Sequence, residues 1–231
     1  MSIINASAGN IDQACLFIFY SALFDMSDGI VARFTQTSSR FGVELDSLSD
    51  LVSFGAAPSF ILYKAYFYHL EGIGIAISSL VMIFGALRLA RFNIQLTGFD
   101  KNYFSGVPVP ISAITIASFF LFYFNKIFSV QTSEVFTLIL SILLPVLMLS
   151  RFKYDTTPGF SKSELKKHPV KFIFILLIVI LVAATNGEGL FAFTLFYLST
   201  GIIRSVKNFI KKHFLKRKGE ITEDMKLNTG N

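Results

Sequence analysis

Long apolar runs, each near twenty residues and separated by short polar turns, set the pattern of this chain. A helix needs a run of about 20 to cross the hydrocarbon core of a bilayer. The pattern predicts seven membrane-crossing helices, at roughly 11–34, 41–68, 72–97, 107–127, 132–150, 170–185 and 188–206. Helix is forced in lipid, where every backbone polar group must be satisfied inside the protein. A barrel would show short alternating strands instead. The expected fold is therefore all-α, a polytopic transmembrane helix bundle. The 41–60 stretch gives the weakest hydropathy signal of the seven. Pro108 and Pro110 predict a helix start, where proline is tolerated. Pro58, close to Gly55, predicts a kink in the second segment that opens a cleft toward lipid.

Composition sharpens this picture. Of 231 residues, 53% are hydrophobic and only 16% charged, where a soluble domain is nearer a quarter charged. Mean hydropathy is +0.60. These values exclude a disordered or fibrous chain and argue against a water-soluble domain. The single cysteine, Cys15, forbids an intramolecular disulfide and reads as a small apolar helix residue. The first ten residues have no basic stretch before an apolar core, so no cleavable signal peptide is expected. The net charge of +6 does not indicate nucleic acid, because the basic residues lie between and after the apolar runs. They instead encode orientation. With the N-terminus outside, 19 of the 21 lysines and arginines fall on or near the cytoplasmic side, and only Lys64 and Lys126 remain outside. Residues 1–206 then form one transmembrane domain, and 207–231 form a basic cytoplasmic tail suited to anionic headgroups.

Four acids interrupt the apolar pattern, and charges inside spanning segments call for a reason. Asp25 and Asp28 are three apart near the inner end of the first segment, and Asp46 and Asp50 are four apart near the inner start of the second. Such spacings put each pair on one helix face. The short 34–41 turn makes the two helices antiparallel neighbours, so all four carboxylates converge at the cytoplasmic edge. With no histidine or cysteine nearby, the donor set is all oxygen, the preference of Mg²⁺ or Mn²⁺. Four carboxylates suffice for two ions, an arrangement suited to displacement at phosphorus. Arg33 lies within about 80° of the Asp25 face and can bind phosphate. Gly29 and Ala32 offer little side chain, so a phosphorylated ligand can approach the backbone. The competing readings are an ion pathway and a structural ion-pair cluster.

Together these residues read Asp25-x2-Asp28-Gly29-x2-Ala32-Arg33-x8-Gly42-x3-Asp46-x3-Asp50, eight specified residues across 26 positions. The pattern matches the signature of the CDP-alcohol phosphatidyltransferase family. The stretches ELDSLSDLVSFGAAPSFILY (44–63), GALRLARFN (85–93) and GVPVP (106–110) resemble the branch of that family whose acceptor is L-serine, the integral-membrane phosphatidylserine synthases. The resemblance implies transfer of the phosphatidyl group from CDP-diacylglycerol to L-serine, with release of CMP. It implies that Asp25, Asp28 and Asp46 hold the divalent metals, with Asp50 as a further ligand and the proton acceptor. Gly29, Ala32, Arg33, Ser39 and Gly42 are expected around the CDP-lipid. Arg88, Arg91 and Asn93, at the inner end of the third segment, are candidates for the acceptor pocket; the alternative for the arginines is a positive-inside anchor. The resemblance further implies a homodimer in the cell's inner (cytoplasmic) membrane, with the site at the cytoplasmic face.

The chain departs from the family at its start. The family has one more helix before the aspartate helix, whereas only 24 residues precede Asp25 here. MSIINASAGN reads as the outer end of that helix. Three other functions compete. A sister enzyme would use glycerol 3-phosphate or inositol phosphate and want extra basic residues around its acceptor. An inactive structural member would release no CMP. A transporter would move ions or lipid through the acids, which cluster at one edge and trace no path across.

Overall fold

The computed structural model describes residues 1–35, 39–95, 103–150, 152–155, 180–205 and 207, with the side chains at 32–35, 40, 95, 103–105 and 153–155 outside that description. The first ten residues, expected as the end of a longer helix, make a short separate one, α1 (Ser2–Ser7). It folds onto α2 (Ile11–Thr35), where Ser2 Oγ donates to Ala14 O at 2.8 Å and Ala6 is fully buried.

The second expected segment is continuous from 40 to 65 but not uniform. It runs as α3 (Arg40–Asp50), a π-helical stretch (Leu51–Ala56) and α4 (Ala57–Ala65). The Ala57 N–H donates to Val52 O, five residues back. Pro58 follows in the first turn of α4 and has no N–H to restore the four-residue ladder. The expected kink at Pro58 therefore takes the form of a widened turn before the proline. Gly55, in that turn, lets α5 approach closely: a Cβ there would meet Leu51 Cδ1 at 3.0 Å and Met82 Cα at 3.5 Å.

A 3₁₀ turn (Phe67–Leu70) leads into α5 (Glu71–Gln95), which packs along α7 (Val130–Leu149). Between them lie β1 (Tyr103–Ser105) and α6 (Val109–Ser118), which continues into a second π-helical stretch (Phe119–Tyr123). Pro108 caps α6 and Pro110 sits in its first turn, the helix start expected there. After α7, β2 (Lys153–Asp155) pairs antiparallel with β1, Phe104 facing Tyr154 in the register. Residues 180–184 are helical, and α8 (Gly189–Ser205) follows. The rest of the expected 170–185 segment and nearly all of the basic tail lie outside the described residues.

The core is one apolar cluster that includes Ile18, Phe54, Ile61, Phe119, Leu140, Leu144 and Phe191, all essentially buried. Toward the α6–α7 connection it becomes aromatic, with Phe119 against Phe191 at 5.4 Å and near-parallel to Phe136 at 6.2 Å. Lys126 in that connection grips both Asp12 carboxylate oxygens at 2.9 Å and Leu121 O at 2.7 Å. Both charged side chains are exposed, so the pair adds at most about 1 kcal/mol.

Three helices are long and apolar enough to cross a bilayer: Ile11–Val31, Phe67–Ile94 and Val130–Leu149. Val109–Tyr123 and Gly189–Ser205 are apolar but shorter. The 40–65 helix is not among them, since its first half carries Arg40, Glu44, Asp46 and Asp50. This is the architecture of an integral membrane protein.

Candidate active site

The C-terminal half of α2 and one face of α3 border one cavity of ≈ 580 Å³. Asp25, Asp28 and Gly29 face it from α2, and Asp46 and Asp50 from α3. Ser39 and Gly42, at the start of α3, close the same cavity. The helical spacing brings all four carboxylates to one place, as the three- and four-residue rule requires.

Within the four, three form a tighter set. Asp25, Asp28 and Asp46 each present an oxygen, and these oxygens all lie within 4.8 Å of one another. Anionic oxygens this close repel strongly in a membrane setting, which makes a cation the natural companion of the set. With oxygen donors alone, the set fits a hard divalent ion such as Mg²⁺ or Mn²⁺. Asp50 stands beside this group on the same cavity, near enough to Asp25 for the two carboxyls to interact. It also feels the charge of Asp46 on one side and of Arg88 on the other.

The remaining expected residues divide. Gly29 has open space where a side chain would be, with nothing within 4 Å of a Cβ placed there. Ser39 is the N-cap of α3, and its hydroxyl accepts from the Gly42 N–H at 3.0 Å. A Cβ on Gly42 would meet that hydroxyl at 3.2 Å. Ser39 and Gly42 thus build the helix start that borders the cavity. Ala32 and Arg33 belong to the last turns of α2, and their side chains lie outside the described residues.

Arg88, Arg91 and Asn93 do not line the cavity. Arg88 is buried on α5, close enough to Asp50 and Tyr197 to interact with both. The Arg91 guanidinium donates to Leu149 O at 2.9 Å and Ser150 O at 3.3 Å. It thereby satisfies carbonyls at the C-terminal end of α7, where a cation is also favoured by the helix dipole. The Asn93 amide donates to Ser47 Oγ at 3.0 Å and Glu44 Oε2 at 3.4 Å, tying α5 to α3.

The cavity also has linings that spacing alone did not single out: Ser21, Phe24, Val43, Ser49, Ser53 and Phe54. The signal for two of them was present. Ser49 and Ser53 follow Asp46 by three and seven residues, on the acidic face of the same helix.

Comparison with known proteins agrees with this geometry. The model of the CDP-alcohol phosphatidyltransferase family matches residues 1–149. The CDP-diacylglycerol–serine O-phosphatidyltransferase of Helicobacter pylori is 40% identical over 218 residues, covering 94% of this chain and 90% of that protein. The enzyme of the same name from Methanocaldococcus jannaschii is 37% identical over 192 residues, 82% of this chain and 83% of its own length. An archaetidylserine synthase from Methanothermobacter thermautotrophicus is 39% identical over 165 residues, 71% of this chain and 66% of that protein. With the acid cluster on two adjoining helices and these relatives together, the chain belongs to the CDP-alcohol phosphatidyltransferase family.

Proposed function

We propose that the chain transfers the phosphatidyl group of CDP-diacylglycerol to L-serine, giving phosphatidylserine and CMP. The observation that carries the reading is the convergence of Asp25, Asp28, Asp46 and Asp50, from two adjoining helices, on one cavity. The names of relatives that match nearly end to end support serine as the acceptor.

Asp25, Asp28 and Asp46 would hold one or two divalent ions, which would supply charge neutralisation for the pyrophosphate and help to orient it. Open space at Gly29 admits the CDP moiety against α2, and Arg33 supplies a cation for its phosphate. Asp50 takes the proton from the serine hydroxyl, a poor nucleophile at neutral pH without a base in reach. The oxygen then attacks the phosphorus next to the diacylglycerol, and the bond to CMP breaks. Direct transfer is preferred because no activated protein nucleophile lines the cavity among the described residues. Arg88, whose charge acts on Asp50, is the cation suited to draw the serine carboxylate. Arg91 and Asn93 act at one remove, by fixing α5 to α7 and to α3.

The lysine and arginine asymmetry supports a site on the cytoplasmic face of the inner membrane, and the family resemblance supports a homodimer. Separate reactions with L-serine, glycerol 3-phosphate and inositol phosphate test the acceptor. Phosphatidylserine as the main lipid product by mass spectrometry is expected. A dominant product from either phosphate-bearing alcohol would keep the acid cluster and overturn the serine reading.

A further inference from the structure

The widened turn after Asp50 leaves a backbone acceptor without its helical donor. In an α-helix the Ser53 carbonyl would accept from the Ala57 N–H, but that N–H is taken by Val52 O. In a π-helix it would accept from residue 58, which is proline and has none. Both its α-helical and its π-helical donor are thus unavailable. A carbonyl that loses its helical donors is open to another partner, and this one belongs to a residue on the cavity wall.

The Ser53 hydroxyl makes no bond to its own helix either. Many helical serines and threonines in the bundle turn their hydroxyls back onto their own helix, although Ser49, Ser59 and Ser133 do not. Ser47 donates to Val43 O, Ser78 to Gly74 O, Thr115 to Ile111 O and Thr137 to Ser133 O. Ser53 makes no such bond among the described residues, although back-bonding is the ordinary habit of a mid-helix serine. Ser53 therefore carries a carbonyl that lacks its usual helical donors and a hydroxyl without a hydrogen-bond partner among the described residues, and it lines the cavity holding Asp50.

We propose that Ser53 is a specificity residue, its carbonyl and hydroxyl oxygens receiving the ammonium group of the acceptor amino alcohol. An ammonium has three donors and no acceptor, so neutral oxygens match it, whereas a phosphate would find no donor in the carbonyl. The placement also fits. Ser53 lies one helical turn, about 5 Å, beyond Asp50. In L-serine the reacting hydroxyl and the ammonium sit on adjacent carbons, so a group one turn from the base is within their span. Ser53 is outside the tight Asp25, Asp28 and Asp46 set, so the ions do not account for these oxygens. The inference rests on the functional reading above and adds the feature that separates an amino acid from the phosphate-bearing acceptors.

The test compares L-serine with 3-hydroxypropionate, which keeps the hydroxyl and the carboxylate and lacks the ammonium. Ser53→Ala removes one acceptor. Pro58→Ala introduces an N–H that occupies the other, without touching the cavity's side chains. Each variant is expected to raise the KM for L-serine roughly tenfold. The inhibition constant of 3-hydroxypropionate against L-serine, and the KM for CDP-diacylglycerol, stay within about twofold. General damage to the site would move all three constants together, and that result, or an unchanged KM for L-serine in both variants, overturns the assignment. Failure of the wild-type chain to turn over L-serine at all contradicts the functional reading itself.

Discussion

Asp50 differs from the other acids in its company. It interacts with Asp25 and feels Arg88, yet stands outside the close oxygen set of Asp25, Asp28 and Asp46. Asp50→Asn keeps the size and most of the hydrogen bonding of the side chain but cannot take a proton. It is expected to lower kcat by about 10²-fold or more, while metal-dependent binding of CDP-diacylglycerol is largely retained. Normal turnover in that variant would remove Asp50 as the base. Asp46→Ala is expected to do the opposite at the binding step, weakening Mn²⁺ affinity in a titration followed by electron paramagnetic resonance; an unchanged affinity would take Asp46 out of the metal set. At this scale the acids were legible because three- and four-residue spacing alone puts carboxylates on one face. Ser53 was not, because its importance depends on a π-turn whose hydrogen bonds no spacing rule reports.

Among the elements, α5 does the positioning. Arg91 caps α7, and Asn93 holds α3 through Ser47 and Glu44. Gly106 adds a second tie at the same end. Its φ of +82° suits glycine, and a Cβ there would run into the Met148 carbonyl. Its N–H donates to Phe152 O at 2.9 Å, extending the β1–β2 pair, and the next N–H, of Val107, donates to Leu147 O of α7 at 3.2 Å. Arg91→Met is expected to cost about 2 kcal/mol, seen as a lower Tm in detergent, with little change in the KM for L-serine. A large rise in that KM at unchanged Tm would return Arg91 to the acceptor pocket. The helices at 71–95, 109–123 and 130–149 fall close to the apolar runs that predicted them. The β1–β2 pair was invisible to the same reading, since three-residue strands carry too little pattern to separate from a loop.

For the whole molecule, the distribution of basic residues predicts a single orientation. Replacing Cys15, which is buried, gives a background for single cysteines at exposed positions. A cysteine at Tyr68 is expected to react with an impermeant maleimide from outside intact cells, and one at Lys207 only after the membrane is opened. The reverse pattern would place the acid cluster on the outer side. The bundle class and the membrane setting were readable from run length and charge because lipid leaves few alternatives for the backbone. The acceptor was readable only through likeness to relatives, since no spacing rule for a single helix encodes an amino-acid pocket. The central claim is metal-dependent transfer to serine by the cavity between α2 and α3. It is tested most directly by CMP release from the purified protein in detergent with CDP-diacylglycerol, L-serine and Mn²⁺. Release that requires serine, stops with excess chelator and returns when Mn²⁺ is restored is the predicted result. CMP release that persists in chelator, or that survives Asp25→Asn and Asp46→Ala together, would contradict it.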